Sequence, residues 1–369
     1  MPERERLRAR IVRLIDRLAD GSSDEPARNA LLGEVLAWQA RHVPPYARLC
    51  SARLQGTPRD PSQYPALPTD AFRFARVAAH AARDDTRVFR TSGTSDARRG
   101  VHALRDLSLY DRAASASAKL QLFPDLERMD LLILAPSEAE APDSSLSYML
   151  SRFVAWFGAH SVFAWRAGAL DARELAQRLE QACATGRPIA LLGTSFAFVH
   201  ADAALGSRRF ALPRGSRIMQ TGGFKGRSRE VAAAELLALL AGRYGVAPAW
   251  IVQEYGMTEL CSQMYEASLR EACMAQRRST DLRATGARAL WVPGWVRAQP
   301  VDPQTLRPVP EGHEGLLRID DLANLDSVCA LQTSDRARRM GNRIQLLGRA
   351  RGAVARGCSI AVDAALGKR

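Results

Sequence analysis

The apolar positions Leu7, Ile11, Leu14, Ile15 and Leu18 recur every three or four residues among charges over residues 2–20, the spacing of an amphipathic helix. Gly21-Ser22-Ser23-Asp24 stops that helix and caps a second one carrying Leu31, Leu32, Val35, Leu36 and Trp38, which Pro44-Pro45 ends. Both helices read as framework. Residues 56–70 are rich in Pro and Asp and predict a loop. Beyond it the pattern alternates. Residues 106–122 read as a helix, 130–136 as a short buried strand, and 144–157 (SSLSYMLSRFVAWF) as an apolar, aromatic helix. Strands are predicted at 161–165, 188–193 and 217–221, separated by helices near 171–183 and 195–203; a helix over 230–240 leads to a strand at 249–253. This alternation indicates α/β architecture with at least partly parallel sheet. From about residue 286 short strands follow one another at 290–292, 316–319, 328–333 and 343–347 with no long helix between them. They predict an antiparallel β segment. The expected organisation is therefore a helical region over 1–70, an α/β core over 71–285 and a β-rich segment over 286–369.

Composition fits a globular chain: 369 residues, 47% apolar and 25% charged, enough for two domains or subdomains. The 52 Lys+Arg exceed the 39 Asp+Glu by 13, which raises nucleic acid as a partner. Nearly all the cations are Arg, however, scattered through Ala-rich sequence, with no zinc-finger spacing and no basic heptad array, so a nucleic-acid partner is not expected. An anionic small molecule needs far less of this charge. The six cysteines lie far apart without a CxxC pair, which argues against a zinc site or a disulfide scaffold. The charged start carries no signal-peptide pattern and no apolar window is long enough to span a bilayer; cytoplasm is the expected compartment.

Candidate chemistry begins at 88–100 (VFRTSGTSDARRG). Thr91, Ser92, Gly93, Thr94 and Ser95 combine hydroxyls with a turning backbone, and Arg90, Arg98 and Arg99 flank them. Such a segment can aim amides and hydroxyls at an anion, though Walker spacing is absent. Two further loops leave predicted strands at their carboxyl ends, where α/β sheets bind ligands. One is Gln220-Thr221-Gly222-Gly223-Phe224-Lys225-Gly226, offering close approach and a cation; the other is Glu254-Tyr255-Gly256-Met257-Thr258-Glu259, offering a ring, clearance, a hydroxyl and a hard oxygen suited to Mg²⁺. Thr333-Ser334-Asp335 is expected to end another strand, with a carboxylate for ribose hydroxyls, and Gly348-Arg349 to follow the last strand. Each also has a plain structural reading. A glycine pair is a turn, Thr258 a helix cap, and Ser334-Asp335 a cap of the next segment.

Taken in order, TSGTS at 91–95, the glycine pair at 222–223, YGMTE at 255–259, TSD at 333–335 and GR at 348–349 resemble the motifs of adenylate-forming enzymes, from roughly residue 70 to the end. The closer resemblance is to the acyl-protein synthetase (LuxE-like) family, neighbours of phenylacetate–CoA ligases. It is carried by Ser-Ser-Leu-x-Tyr-Met at 144–149, Gly-Gly-aromatic-Lys at 222–225 and Arg-Gly-Cys at 356–358.

The resemblance implies an α/β adenylate-forming domain of the N-terminal type and, as activity, ATP-dependent conversion of a fatty or aryl carboxylic acid to acyl-AMP, with Mg²⁺, followed by transfer to a thiol. It implies that 91–95 grip the pyrophosphate side and that Gly222 and Gly223 allow close approach. Tyr255 with Gly256 would take adenine, Thr258 and Glu259 would hold α-phosphate and Mg²⁺, and Asp335 and Arg349 would bind ribose. Lys225 is the candidate cation at the reacting carboxylate. Phe153, Trp156 and Phe157 are candidates for an acyl pocket, with plain core packing as the rival reading. Cys358 is the candidate acyl acceptor, with Arg351 and Arg356 beside it to favour the thiolate; the other five cysteines read as structural. A reductase or carrier protein is the implied partner. The usual mobile C-terminal domain is largely absent after Arg349, Arg351 stands where an acidic hinge residue is expected, and Asp96 replaces a frequent glycine, so a large rotation between half-reactions is not expected. An amide- or ester-forming ligase and a protein that binds nucleotide or a partner without turnover are the alternatives.

Overall fold

The computed structural model describes residues 1–92, 98–222, 232–278, 288–350 and 366. The chain forms two compact units: Met1–Ala116 with Met257–Gln263 and Ala289–Arg369, and Ser117–Gly256 with Met264–Arg288.

The first unit opens with α1 (Glu3–Arg17), which buries Leu7, Ile11, Leu14 and Ile15, and α2 (Glu25–His42), whose N-cap Asp24 accepts from the Ala27 N–H at 3.0 Å. The two prolines do more than end α2. Pro44 starts a third helix, α3 (Pro44–Arg53), unforeseen in the sequence. In a first turn the missing proline N–H is no loss and its fixed φ suits the helix. Within 56–70 lies β1 (Leu67–Pro68); the short helix α4 (Ala71–Phe74) follows. Strands β2 (Arg87–Arg90) and β3 (Val101–Leu104) pair antiparallel, with Phe89 fully buried. Helix α5 (Ser108–Gln121) then carries the chain into the second unit.

The second unit contains β4 (Met129–Leu134), α6 (Ser145–Phe157), β5 (Gly158–Phe163), the small hairpin β6 (Trp165–Arg166) and β7 (Ala169–Leu170), and α7 (Ala172–Thr185). It continues through β8 (Ile189–Thr194), α8 (Ser195–Leu205), β9 (Arg217–Thr221), α9 (Ala233–Tyr244), β10 (Ile251–Tyr255), β11 (Met264–Glu266) and α10 (Ser268–Arg278). Its strands lie in the order β11-β10-β9-β8-β4-β5, parallel except for β11 against β10. Leu131, Leu132 and Ile133 on β4 and Ala190, Leu191 and Leu192 on β8 are buried in unbroken runs, as expected of parallel strands covered on both faces. Strand β11 and helix α10 were not evident in the sequence.

The chain completes the first unit with β12 (Leu290–Trp291), β13 (Val296–Val301), β14 (Glu314–Asp321), β15 (Ala330–Met340) and β16 (Arg343–Arg349). They form the order β13-β14-β15-β16-β12, all neighbours antiparallel, with β1 joining β15 in parallel. The antiparallel C-terminal segment is therefore as expected. Thr333-Ser334-Asp335 lies inside β15 and does not end it, and Arg349 is the last residue of β16 rather than part of a following turn. Among the described residues no helix is long and apolar enough to cross a membrane.

Candidate active site

In the second unit three parallel strands end side by side. Thr194 on β8 is register partner of Thr221 on β9, and Thr221 of Glu254 on β10. Beyond these ends, Thr194 caps α8 by accepting from the Ala197 N–H, and the Ser195 hydroxyl donates to the Gly222 carbonyl at 2.9 Å. Gly222 has φ +71, a backbone state that favours glycine, and open space where a Cβ would stand. Gly223 and Lys225 lie outside the described residues. Glu254, directly before Tyr255 and Gly256, is fully enclosed and takes a hydrogen bond from the Thr221 hydroxyl. Burial pushes its carboxyl up to about 7, against the smaller opposing pull of that bond. Tyr255 closes β10 half-buried.

On α6, Phe153 and Phe157 are buried and Trp156 half-buried. Phe157 stacks on Phe123 at 4.5 Å, and Phe153 meets Phe123 edge-on at 6.4 Å. These rings pack against one another, the pattern of a core.

In the first unit the segment Met257–Gln263 is held by buried polar side chains. The His102 ring on β3 places Nδ1 2.7 Å from the Thr258 carbonyl oxygen and Nε2 3.1 Å from Asn324 Oδ1. The Asn324 amide donates to the carbonyls of Glu259 (2.8 Å) and Val328 (3.0 Å). Asp321, at the end of β14, accepts from the Cys261 and Ser262 N–H groups at 2.9 and 2.8 Å and from the Ser262 hydroxyl at 2.7 Å. Trp295 donates to that same hydroxyl at 3.0 Å. Burial lifts the Asp321 carboxyl and drops the His102 imidazole to about 4, in each case opposed by the hydrogen bonds. His102, Asn324 and Asp321 carry no motif of their own, and only their long-range partners reveal them.

Asp335 and Arg349 are cross-strand partners on β15 and β16, the Arg349 Nε donating to Asp335 Oδ1 at 3.1 Å. Thr91, next after β2, bonds across to Gly100 before β3: its N–H donates to the Gly100 carbonyl (3.0 Å) and its hydroxyl accepts from the Gly100 N–H (2.8 Å). Ser92 follows, exposed; Gly93, Thr94 and Ser95 lie outside the described residues, as do Asp96, Arg351, Arg356 and Cys358. Cys50, Cys261, Cys273 and Cys329 are buried, as their structural reading requires, whereas Cys183 is exposed on α7. Among the described residues no group of three or more His, Cys, Asp or Glu side chains is placed to hold a metal. Glu259 is a single hard donor, the type Mg²⁺ takes when phosphates and water complete its shell.

The parallel sheet with loops at its carboxyl ends, followed by an antiparallel segment, is the fold of the adenylate-forming ligases. The chain belongs to the LuxE acyl-protein synthetase family, whose model matches residues 22–367. Among solved structures it is similar in fold to 2-hydroxyisobutyryl-CoA ligase. The open form with 2-HIB-AMP and CoA aligns at TM-score 0.60 and 15% identity over 88% of this chain and 75% of that one. The postadenylation form with R3-HIB-AMP aligns at TM-score 0.61 and 16% identity over 88% and 67%. Against ATP-bound MatB from Rhodopseudomonas palustris the TM-score is 0.45 at 15% identity over 73% of this chain, which spans 49% of that protein. No curated protein sequence matches.

Proposed function

We propose that the protein activates a fatty or aryl carboxylic acid with ATP and passes the acyl group to a thiol, its own Cys358. The observation that carries this reading is the run 255–259 leaving parallel strand β10 at its carboxyl end, in a chain of the LuxE family. The 2-hydroxyisobutyryl-CoA ligase of similar fold is solved with an acyl-adenylate, the intermediate that the reading requires.

In the first step a carboxylate oxygen attacks the α-phosphorus of ATP and the bond to pyrophosphate breaks. Negative charge gathers around that phosphorus, so fixed cations and dipoles are needed there. Lys225 is assigned the reacting carboxylate, and Thr91, Ser92, Gly93, Thr94 and Ser95 the departing pyrophosphate. Gly222 and Gly223 leave room for the nucleotide, Tyr255 and Gly256 take the adenine, and Thr258 the α-phosphate. Asp335, kept in place by Arg349, offers a carboxylate to the ribose hydroxyls. Mg²⁺, when bound, would offset phosphate charge, and Glu259 is the residue to hold it. In the second step the Cys358 thiolate, its proton released to water, attacks the acyl carbon and AMP leaves. Arg351 and Arg356 favour the thiolate. A carrier or reductase protein would then take the acyl group, in a cytoplasm that keeps the thiol reduced.

The test is acid-dependent ATP–pyrophosphate exchange over fatty, aryl and amino acids, followed by intact mass. Exchange is expected with one acid class, with an adduct that hydroxylamine removes and that Cys358→Ser abolishes while exchange persists. Exchange without an adduct moves the acceptor to another thiol, an amine or a hydroxyl. No exchange with any acid overturns the reading.

A further inference from the structure

We propose that His102 and Asn324 are positioning residues that fix the backbone of Thr258-Glu259, and through it the direction in which the Glu259 side chain is presented. The inference rests on the reading of Glu259 as the Mg²⁺-holding carboxylate and names what sets it.

The two consecutive carbonyls, of Thr258 and Glu259, are gripped by two side chains that also face each other. Turning the peptide between them would break at least one of these bonds. Downstream, Asp321 holds the N–H groups of Cys261 and Ser262, so the segment is tied on both sides of Glu259. Cys261 also directs its thiol to Asn324 Oδ1, at 3.5 Å. The Asn324 amide nitrogen is occupied by two carbonyls, so its oxygen faces His102, and a neutral ring has one N–H for two acceptors. With the proton assigned to Nδ1, the shorter contact, to Thr258, is the hydrogen bond, and Nε2 faces Asn324 Oδ1 without one. His102 is completely buried and edge-on to Phe72 at 5.6 Å. An apolar side chain would fill that space without the desolvation cost of an imidazole; what it would lose is the grip on Thr258.

The experiment compares ATP binding by calorimetry with and without Mg²⁺ in the full-length protein, His102→Leu and His102→Asn. Asparagine can still donate from the place of Nδ1; leucine cannot. The wild type is expected to bind ATP more tightly with Mg²⁺. His102→Leu should cut that gain by about tenfold, the usual scale for groups that orient a metal ligand, with metal-free ATP affinity falling far less, and His102→Asn should restore most of it. If the Leu variant does not unfold cooperatively, Asn324→Ser, which removes the hold on the Glu259 carbonyl, carries the same readout. A folded variant that keeps the full gain, or Leu and Asn variants reduced alike, overturns the proposal. So does a wild type that exchanges pyrophosphate yet shows no gain with Mg²⁺, which leaves the ligase reading standing. A wild type that neither binds ATP nor exchanges pyrophosphate removes both.

Discussion

Glu254 and His102 are fully enclosed and titrate in opposite senses. Glu254 is lifted from 4.5 to about 7 by burial, so its protonated form favours the fold. Its contribution is complete below pH 4.5 and is lost as pH rises through 7. Glu254→Gln should remove this dependence. In urea titrations between pH 4.5 and 7.5 the wild type is expected to lose on the order of 3 kcal/mol relative to the variant, and equal slopes would refute it. His102 is depressed from 6.5 to about 4, so its neutral form favours the fold; its contribution is complete above pH 6.5 and lost as pH falls through 4. His102→Asn should therefore narrow the gap in stability between pH 7 and pH 4, measured the same way. Arg217 makes a third case: fully buried, it donates to Asp125 at 2.7 and 2.9 Å and to the carbonyls of Leu122 and Gly215 at 3.0 and 2.8 Å. Asp125→Ala leaves that cation uncompensated and should cost about 3 kcal/mol in denaturant unfolding. None of these residues announces itself in the sequence. Each is a polar letter in an ordinary strand or loop, and each faces a side chain 33, 92 or 222 positions away. The loops Tyr255-Gly256 and Thr258-Glu259 were legible because glycine and hydroxyl residues after a strand mark a turn locally; the grip that holds them was not.

At the scale of elements, apolar runs and helical spacing are local signals, and they gave β4, β8, β9, α6, α7 and α8 close to their observed bounds. Misreadings arose where one residue has two uses. Pro44 can stop a helix or start one, and here it starts α3. Strand β15 runs eleven residues, yet only its first part is apolar; beyond Thr333 it alternates exposed Ser334 and Arg338 with buried Asp335 and Ala337. Alternation with a charged inward residue does not look like a strand until Arg349 is seen across from it. In β13, Pro300 argues against a strand, and pairing with Leu317 on β14 overrides that. Close backbone approach gives a prediction for this pair. A Cβ on Gly315 would meet the Val301 oxygen at 2.6 Å and nitrogen at 2.8 Å. Gly315→Ala should therefore destabilise by about 2 kcal/mol, the range of overpacking in a dense interior, measured as a lower midpoint in denaturant with an unchanged slope.

At the scale of the molecule, the second unit is nearly continuous in sequence, whereas the first is assembled from three stretches separated by residues 117–256 and 264–288. Gln39 on α2 binds the carbonyls of Asn324 and Leu325 at 3.0 and 2.9 Å and receives the Cys329 N–H at 2.9 Å, and Arg4 on α1 donates to Asp326 at 2.6 Å. A chain cut after residue 288 should keep protease-resistant fragments from 117–256 while 1–116 is digested, and mass mapping of a timed digest would show it; uniform resistance would count against this division. On the ribosome the same arrangement becomes a delay. At about 5–20 residues per second, residues that dock on 324–329 wait roughly 15 to 60 s after Gln39 is made. Through that interval Leu7, Ile11, Leu32 and Leu36 have no completed core to enter, so the nascent N-terminal helices keep their apolar faces uncovered until residues 324–329 have been made.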